Sequence, residues 1–280
     1  MNTKKDYKLN IFVIHYEPLR DRKKYLENRL KVLGLEKNTQ WIIQKRGEYS
    51  KEFKSYLPSE KNWNLMLKKV DGGKFRLLTE SDFSVMKNYL KIYGIIKKRK
   101  IPVALILEDD VILSKDFLKR LDKCLETLPK IFDIAYTDSG INLRLPSNIE
   151  KLHFYPYSGF NIRTTASHFI SLEGARKISQ LIKPVMPIDL GLRYYEKQKK
   201  LKVFWLNGYL TYQGSYYGKK YTTSMQFPTK EARGFRKILL NVENKRFNKD
   251  FFSQVQVFLL DFLVIMPFRL LRIISKKFFS

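Results

Sequence analysis

At 280 residues, 44% hydrophobic and 14% aromatic, the chain can bury a sizeable core as one large domain with or without an appendage, and it is too apolar for wholesale disorder. Its 54 Lys and Arg against 27 Asp and Glu leave a formal charge of +27, which calls for an anionic partner or surface. No zinc-finger spacing, Gly-rich phosphate loop or RNA-binding aromatic signature appears, so nucleic acid is not an expected partner.

The first residues, Met1 to Asn10, carry Lys and Asp and no apolar signal-peptide core, so the body of the protein is expected in the cytosol. Leu9 to His15 reads as a first strand. Glu17 to Leu33 follows as a helix, with Leu26, Leu30 and Leu33 on one face and Arg20, Arg22, Lys23 and Lys24 on the other. Trp41 to Ile43 is a second strand, and Gly47 to Gly73 an irregular excursion containing a short helix. Thr79 and Asp82 have the spacing of a capping box, predicting a helix to Lys98 with Phe83, Met86, Leu90 and Tyr93 inward.

Val103 to Leu107 reads as a buried central strand, and Glu108-Asp109-Asp110 follows it without a gap. Three carboxylates at the end of such a strand repel one another and lose solvation. Something cationic should neutralise them, and an oxygen-rich cluster suits Mg²⁺ or Mn²⁺. In open α/β sheets ligands bind beyond the carboxyl ends of the strands, which is where this run sits. A solvated acidic turn that caps the next helix is the other reading, although capping needs one carboxylate rather than three.

A helix from Ser114 to Leu128 carries the only cysteine, Cys124, which fits a reducing compartment. Strands at Phe132 to Tyr136, at Phe154 to Ile162 and at Ser167 to Ser171 follow, with Asp138 just past the first. Leu172 to Ile182 is a helix whose Gly174-Ala175 permits close packing, and Val203 to Leu206 and Tyr209 to Tyr212 are short strands. The alternation predicts an α/β fold with a mostly parallel central sheet, the second half forming the acceptor side of a cleft. From Arg233 onward the chain is basic and apolar. Phe258 to Phe268 is too short for a bilayer, which takes roughly 20 residues. Mixed with Lys and Arg, it reads as an interfacial helix on an anionic membrane or as a helix packed on the domain.

Four segments in order resemble glycosyltransferase family 25, whose members make lipooligosaccharide or modify collagen. Ile14 to Arg22 resembles the family's opening, a strand ending in Ile-Asn-Leu and a basic run closing in Asp-Arg. Asp21 and Arg22 match it, and His15 replaces the usual Asn. Leu78 to Ser84 resembles Leu-Thr-x-Gly-Glu-Ile-Gly, but Asn88-Tyr89 stands where a Ser-His pair usually ends that segment. Leu107 to Val111 matches Leu-Glu-Asp-Asp-Val without substitution. Ser167 to Ala175, then Pro187-Ile188-Asp189, resemble the Ala-Tyr-Ile-Ile-Ser-x-x-Gly-Ala and Pro-Val-Asp segments.

The resemblance implies a GT-A-type nucleotide-sugar-binding fold, assigned to residues 1–225; the basic helical tail over 226–280 lies outside it. The resemblance also implies inverting transfer of a sugar, by default galactose from a UDP donor, onto a glycolipid or oligosaccharide acceptor. A departing diphosphate and an attacking hydroxyl need a divalent cation and a base. Asp110 is the preferred ligand of Mn²⁺ or Mg²⁺, with Glu108 beside it or turned back to a ribose or amide. Asp109 is expected as a further metal or donor ligand, and Asp138 at the substrate as a second candidate base, or else as an ordinary loop carboxylate. His15 and Arg22 are candidates for the nucleotide and its diphosphate, or else a structural histidine and a solvated face. Asp189 is the candidate general base, or the N-cap of a helix from Leu190 to Lys197. His168 is expected to be a satisfied core histidine. An enzyme peripheral on the inner face of the cytoplasmic membrane is the reading; the alternative is an inactive, membrane-docked scaffold.

Overall fold

The apolar run after Lys8 forms β1 (Asn10–Tyr16), whose central residues are buried on both faces. A strand between two layers of helices demands this. The computed structural model describes residues 8–56, 78–114, 116–137, 149–156, 165–182 and 187–213. Asp138 and the tail over 226–280 therefore lie outside the described residues, as does the aromatic stretch beyond Pro156.

β1 pairs in parallel with β2 (Thr39–Gln44) and with β3 (Val103–Glu108). α1 (Arg20–Val32) connects the first two strands and buries Leu26 and Leu30. α2 (Ser50–Tyr56) is the short helix of the irregular region. α3 (Glu80–Arg99) starts with the expected capping box: Asp82 N donates to Thr79 Oγ1 at 3.2 Å and Thr79 N to Asp82 Oδ2 at 2.9 Å. It covers one sheet face with Phe83, Met86, Tyr89 and Tyr93, while Leu90 is only partly buried. On the other face α1 is joined by α4 (Phe117–Thr127), which buries Phe117, Leu121 and Cys124. Burial pushes the Cys124 thiol up to about 12, so it is packing and not a nucleophile.

The remaining strands are β4 (Val111–Leu113), β5 (Ile134–Tyr136), β6 (Phe154–Pro156), β7 (Ser167–Ser171), β8 (Val203–Leu206) and β9 (Thr211–Gln213). Seven of the nine described strands form one sheet in the order β2-β1-β3-β7-β5-β8-β6. β7 runs antiparallel between β3 and β5, and β6 antiparallel to β8. The other five strands share a direction, but the sheet is mixed rather than mostly parallel in its pairings. An apolar run does not encode strand direction; the connections do. β9 leaves this sheet and pairs with β4, bringing the last described strand back beside the acidic run.

α5 (Leu172–Leu181) starts at Ser171, whose Oγ accepts from Gly174 N at 2.9 Å. A Cβ on Gly174 would lie 2.2 Å from the Asp133 carbonyl oxygen, so this close approach requires glycine. α6 (Ile188–Lys197) begins one residue before Asp189, so Pro187 and not Asp189 holds the cap position. The Asp189 Oδ1 accepts from Leu190 N at 2.9 Å, satisfying a first-turn donor.

His168 lies in the core of β7, fully buried and stacked on Tyr89 with ring centroids 5.7 Å apart. Its Nδ1 donates to the Thr165 carbonyl at 3.2 Å, but its Nε2 has no hydrogen-bond partner. It is a core histidine, only half satisfied. Burial lowers its pKa from 6.5 to about 4, so the unfolded chain takes up a proton that the folded one refuses. Stability is complete above about pH 6.5 and is lost as pH falls toward 4. The melting temperature should drop across that window, and His168→Phe should flatten that part of the profile. An unchanged slope in the variant would assign the acid sensitivity to other groups.

Candidate functional site

Because β2, β1 and β3 run parallel, their carboxyl ends, Gln44, Tyr16 and Glu108, align along one edge of the sheet. The acidic run begins at this edge and is divided between the two faces.

Asp109 turns toward α1. Its Oδ2 accepts from His15 Nδ1 at 2.8 Å and from Tyr16 N at 3.1 Å, and its Oδ1 from Arg22 Nη1 at 2.9 Å. The side chains of His15, Arg22 and Asp109 are 2%, 8% and 9% exposed. The His15 ring also meets Trp41 edge-on, with centroids 6.0 Å apart. Three residues expected at the substrate are thus brought together, but on one another. Arg22 does not lie on a solvated face; it is the buried one among the basic residues of α1.

Glu108 turns the other way, toward α3. Its Oε1 accepts from Thr165 Oγ1 at 2.7 Å and stands 2.9 Å from the Tyr89 hydroxyl, which also lies 2.8 Å from the Thr165 carbonyl. The Tyr89 hydroxyl is thus within donating distance of both the Glu108 carboxyl and the Thr165 carbonyl. Burial raises the Glu108 pKa to about 8, with the negative charge of Asp110 as the next cause. Asp110 is itself buried, at 5% exposure.

Next to Tyr89 on α3, Asn88 is fully buried and its Nδ2 donates to Gln44 Oε1 at 3.1 Å. Both departures from the family segment are therefore tied into the strand edge. Asn88 and Tyr89 were visible in the sequence as departures, without a role; Gln44 and Thr165 carried no signal at all. Asp189 stands on a separate element, α6, whose Ile188 and Leu192 join the core beneath α3.

Among the described residues no three His, Cys, Asp or Glu side chains gather in a way that could hold a metal ion. The donor set does fit a cation of another kind. Mg²⁺ and Mn²⁺ are commonly held by one or two carboxylates plus substrate phosphates. Asp110 and Glu108 supply two carboxyl groups, and a cation would favour the ionised form of Glu108 that its surroundings disfavour.

Asp109 is expected to be a clamp before anything else. Removing one member of a buried ion pair leaves an uncompensated charge and costs about 3–5 kcal/mol. Asp109→Asn, which strands Arg22, should therefore lower the midpoint of chemical denaturation. A variant as stable as the parent that lost activity would make Asp109 a ligand instead.

The model of glycosyltransferase family 25 (LPS biosynthesis protein) matches residues 8–192, from β1 through the acidic run to α6. Among solved structures, mouse xyloside xylosyltransferase 1 in its apo form matches over 72% of this chain and 78% of its own, with 11% identity and a TM-score of 0.32. No curated protein matches. The family match covers well over half of the chain and includes both halves of the divided acidic run: the chain belongs to glycosyltransferase family 25 and is a glycosyltransferase.

Proposed function

We propose that the chain transfers galactose from a UDP donor to a lipooligosaccharide or similar glycan acceptor, inverting the anomeric carbon with the help of Mn²⁺ or Mg²⁺. The observation that carries this reading is the half-buried Glu108 beside the buried Asp110 at the carboxyl edge of the parallel strands, where the charge of Asp110 adds to the cost of ionising Glu108. Asp110 is the principal ligand of the cation and Glu108 the second. When bound, the cation neutralises the charge that develops on the departing diphosphate. Asp109 keeps the edge in shape. Asp189 takes the proton of the acceptor hydroxyl, which attacks from the face opposite the leaving group.

The reading as an inactive scaffold rested on His15 and on Asn88-Tyr89. All three make hydrogen bonds at the strand edge rather than leaving a gap, which favours an intact site.

The same reading puts the protein on the anionic inner face of the cytoplasmic membrane through the basic tail over 226–280. No helix among the described residues is long and apolar enough to cross a membrane.

In a transfer assay with UDP-galactose and Mn²⁺, Asp110→Asn should abolish metal-dependent turnover while the protein stays folded. In the same assay Asp189→Asn should lower the rate by about 10² to 10⁴ and leave donor binding nearly unchanged. Full activity of Asp110→Asn would remove the acidic run from metal binding. Full activity of Asp189→Asn would reduce Asp189 to a helix-end residue.

Deleting residues 251–280 should abolish flotation with anionic liposomes, and raising salt should weaken flotation of the full chain without ending it. Equal flotation of the two forms would mean that the tail is not the anchor.

A further inference from the structure

Two consecutive residues of α3 each hold one polar side chain at the carboxyl edge of the sheet. Tyr89 holds Glu108 on β3, and Asn88 holds Gln44 on β2. β1 lies between those strands, so strand spacing puts the two ends about 10 Å apart. That is a fitting separation for the diphosphate of a nucleotide at one end and its base at the other.

Gln44 is fixed at both main chain and side chain. Its carbonyl accepts from Glu17 N at 3.0 Å, β2 pairs it with Tyr16, and its Oε1 is taken by Asn88. Its Nε2 hydrogens remain. They have no hydrogen-bond partner among the described residues. Turning both amides over would put an oxygen outward, but it would leave a buried Asn88 N–H unpaired in place of the present unpaired Asn88 carbonyl. Orphaned buried N–H groups are the rarer of the two.

We propose that Gln44, positioned by Asn88, is the hydrogen-bond donor that reads the base of the sugar nucleotide, selecting an exocyclic carbonyl over an exocyclic amine. Uracil O4 and guanine O6 accept from an N–H, whereas cytosine N4 and adenine N6 present donors against it. The inference rests on the glycosyltransferase reading of this edge and adds a residue that sets donor choice.

UDP and CDP make the sharpest pair, since both carry the same ribose diphosphate. Measured by calorimetry on the full chain with Mn²⁺, UDP should bind at least about tenfold tighter than CDP, the scale of one good base contact. Gln44→Glu places an oxygen where the N–H was and should erase or invert that preference. Asn88→Ala frees the Gln44 amide and should narrow it, with the KM for UDP-galactose rising while kcat holds. The wild-type ratio needs no variant: equal binding of UDP and CDP overturns the inference and leaves the donor reading standing. Preference kept by a folded Gln44→Glu overturns it as well. Failure of every nucleoside diphosphate to bind would overturn the donor reading and this inference together.

Discussion

The Asp109 carboxylate is the constraint on which the carboxyl edge of the sheet depends. A buried carboxylate is costly unless charge and hydrogen bonds compensate it. Here the compensation comes from His15 and Tyr16 at the end of β1 and from Arg22 one turn into α1. The pairing therefore fixes β3 against β1 and sets how α1 leaves the sheet. The Glu17 N–H to Gln44 carbonyl bond carries the same restraint on to β2. Three strand ends are thus locked before any ligand arrives, and a site that needs no reorganisation is where positioned charges act most strongly.

The expectation of three repelling carboxylates is met by dividing them. Successive residues at a strand end point to opposite faces, which sends Glu108 to the α3 side and Asp109 to the α1 side. Asp109 is ion-paired, and burial together with the charge of Asp110 raises the Glu108 pKa to about 8, disfavouring its charged form. Most of the repulsion is gone before a cation is considered. Its remnant lies between Glu108 and Asp110.

What the sequence disclosed was local. The apolar runs of β1 and β3, the Thr79–Asp82 capping box and the position of the acidic run all depend on residues close in the chain, and all stand where expected. What stayed hidden depends on tertiary placement. The reversal of β7, the departure of β9 to join β4, and the faces taken by Glu108 and Asp109 follow from connections rather than composition. Thr165 and Gln44 look like ordinary polar residues until α3 lies across them. Asp189 reads as a cap because Asp favours caps, yet Pro187 fixes the backbone two residues earlier and takes the position.

The Asn88-Tyr89 pair shows how a family segment can change without emptying the site. A helix lying across parallel strands turns about 100° per residue, so neighbours on α3 address different strands: Tyr89 meets β3 and Asn88 meets β2. Tyrosine at 89 brings a hydroxyl that reaches both Glu108 and the Thr165 carbonyl, and its ring also covers His168. It thereby joins the carboxyl end of β3 to the reversed strand β7. Asparagine at 88 is long enough to hold the Gln44 amide and short enough to stay fully buried. The two substitutions act as one feature, since moving α3 by a fraction of a turn to suit one of them would break the other.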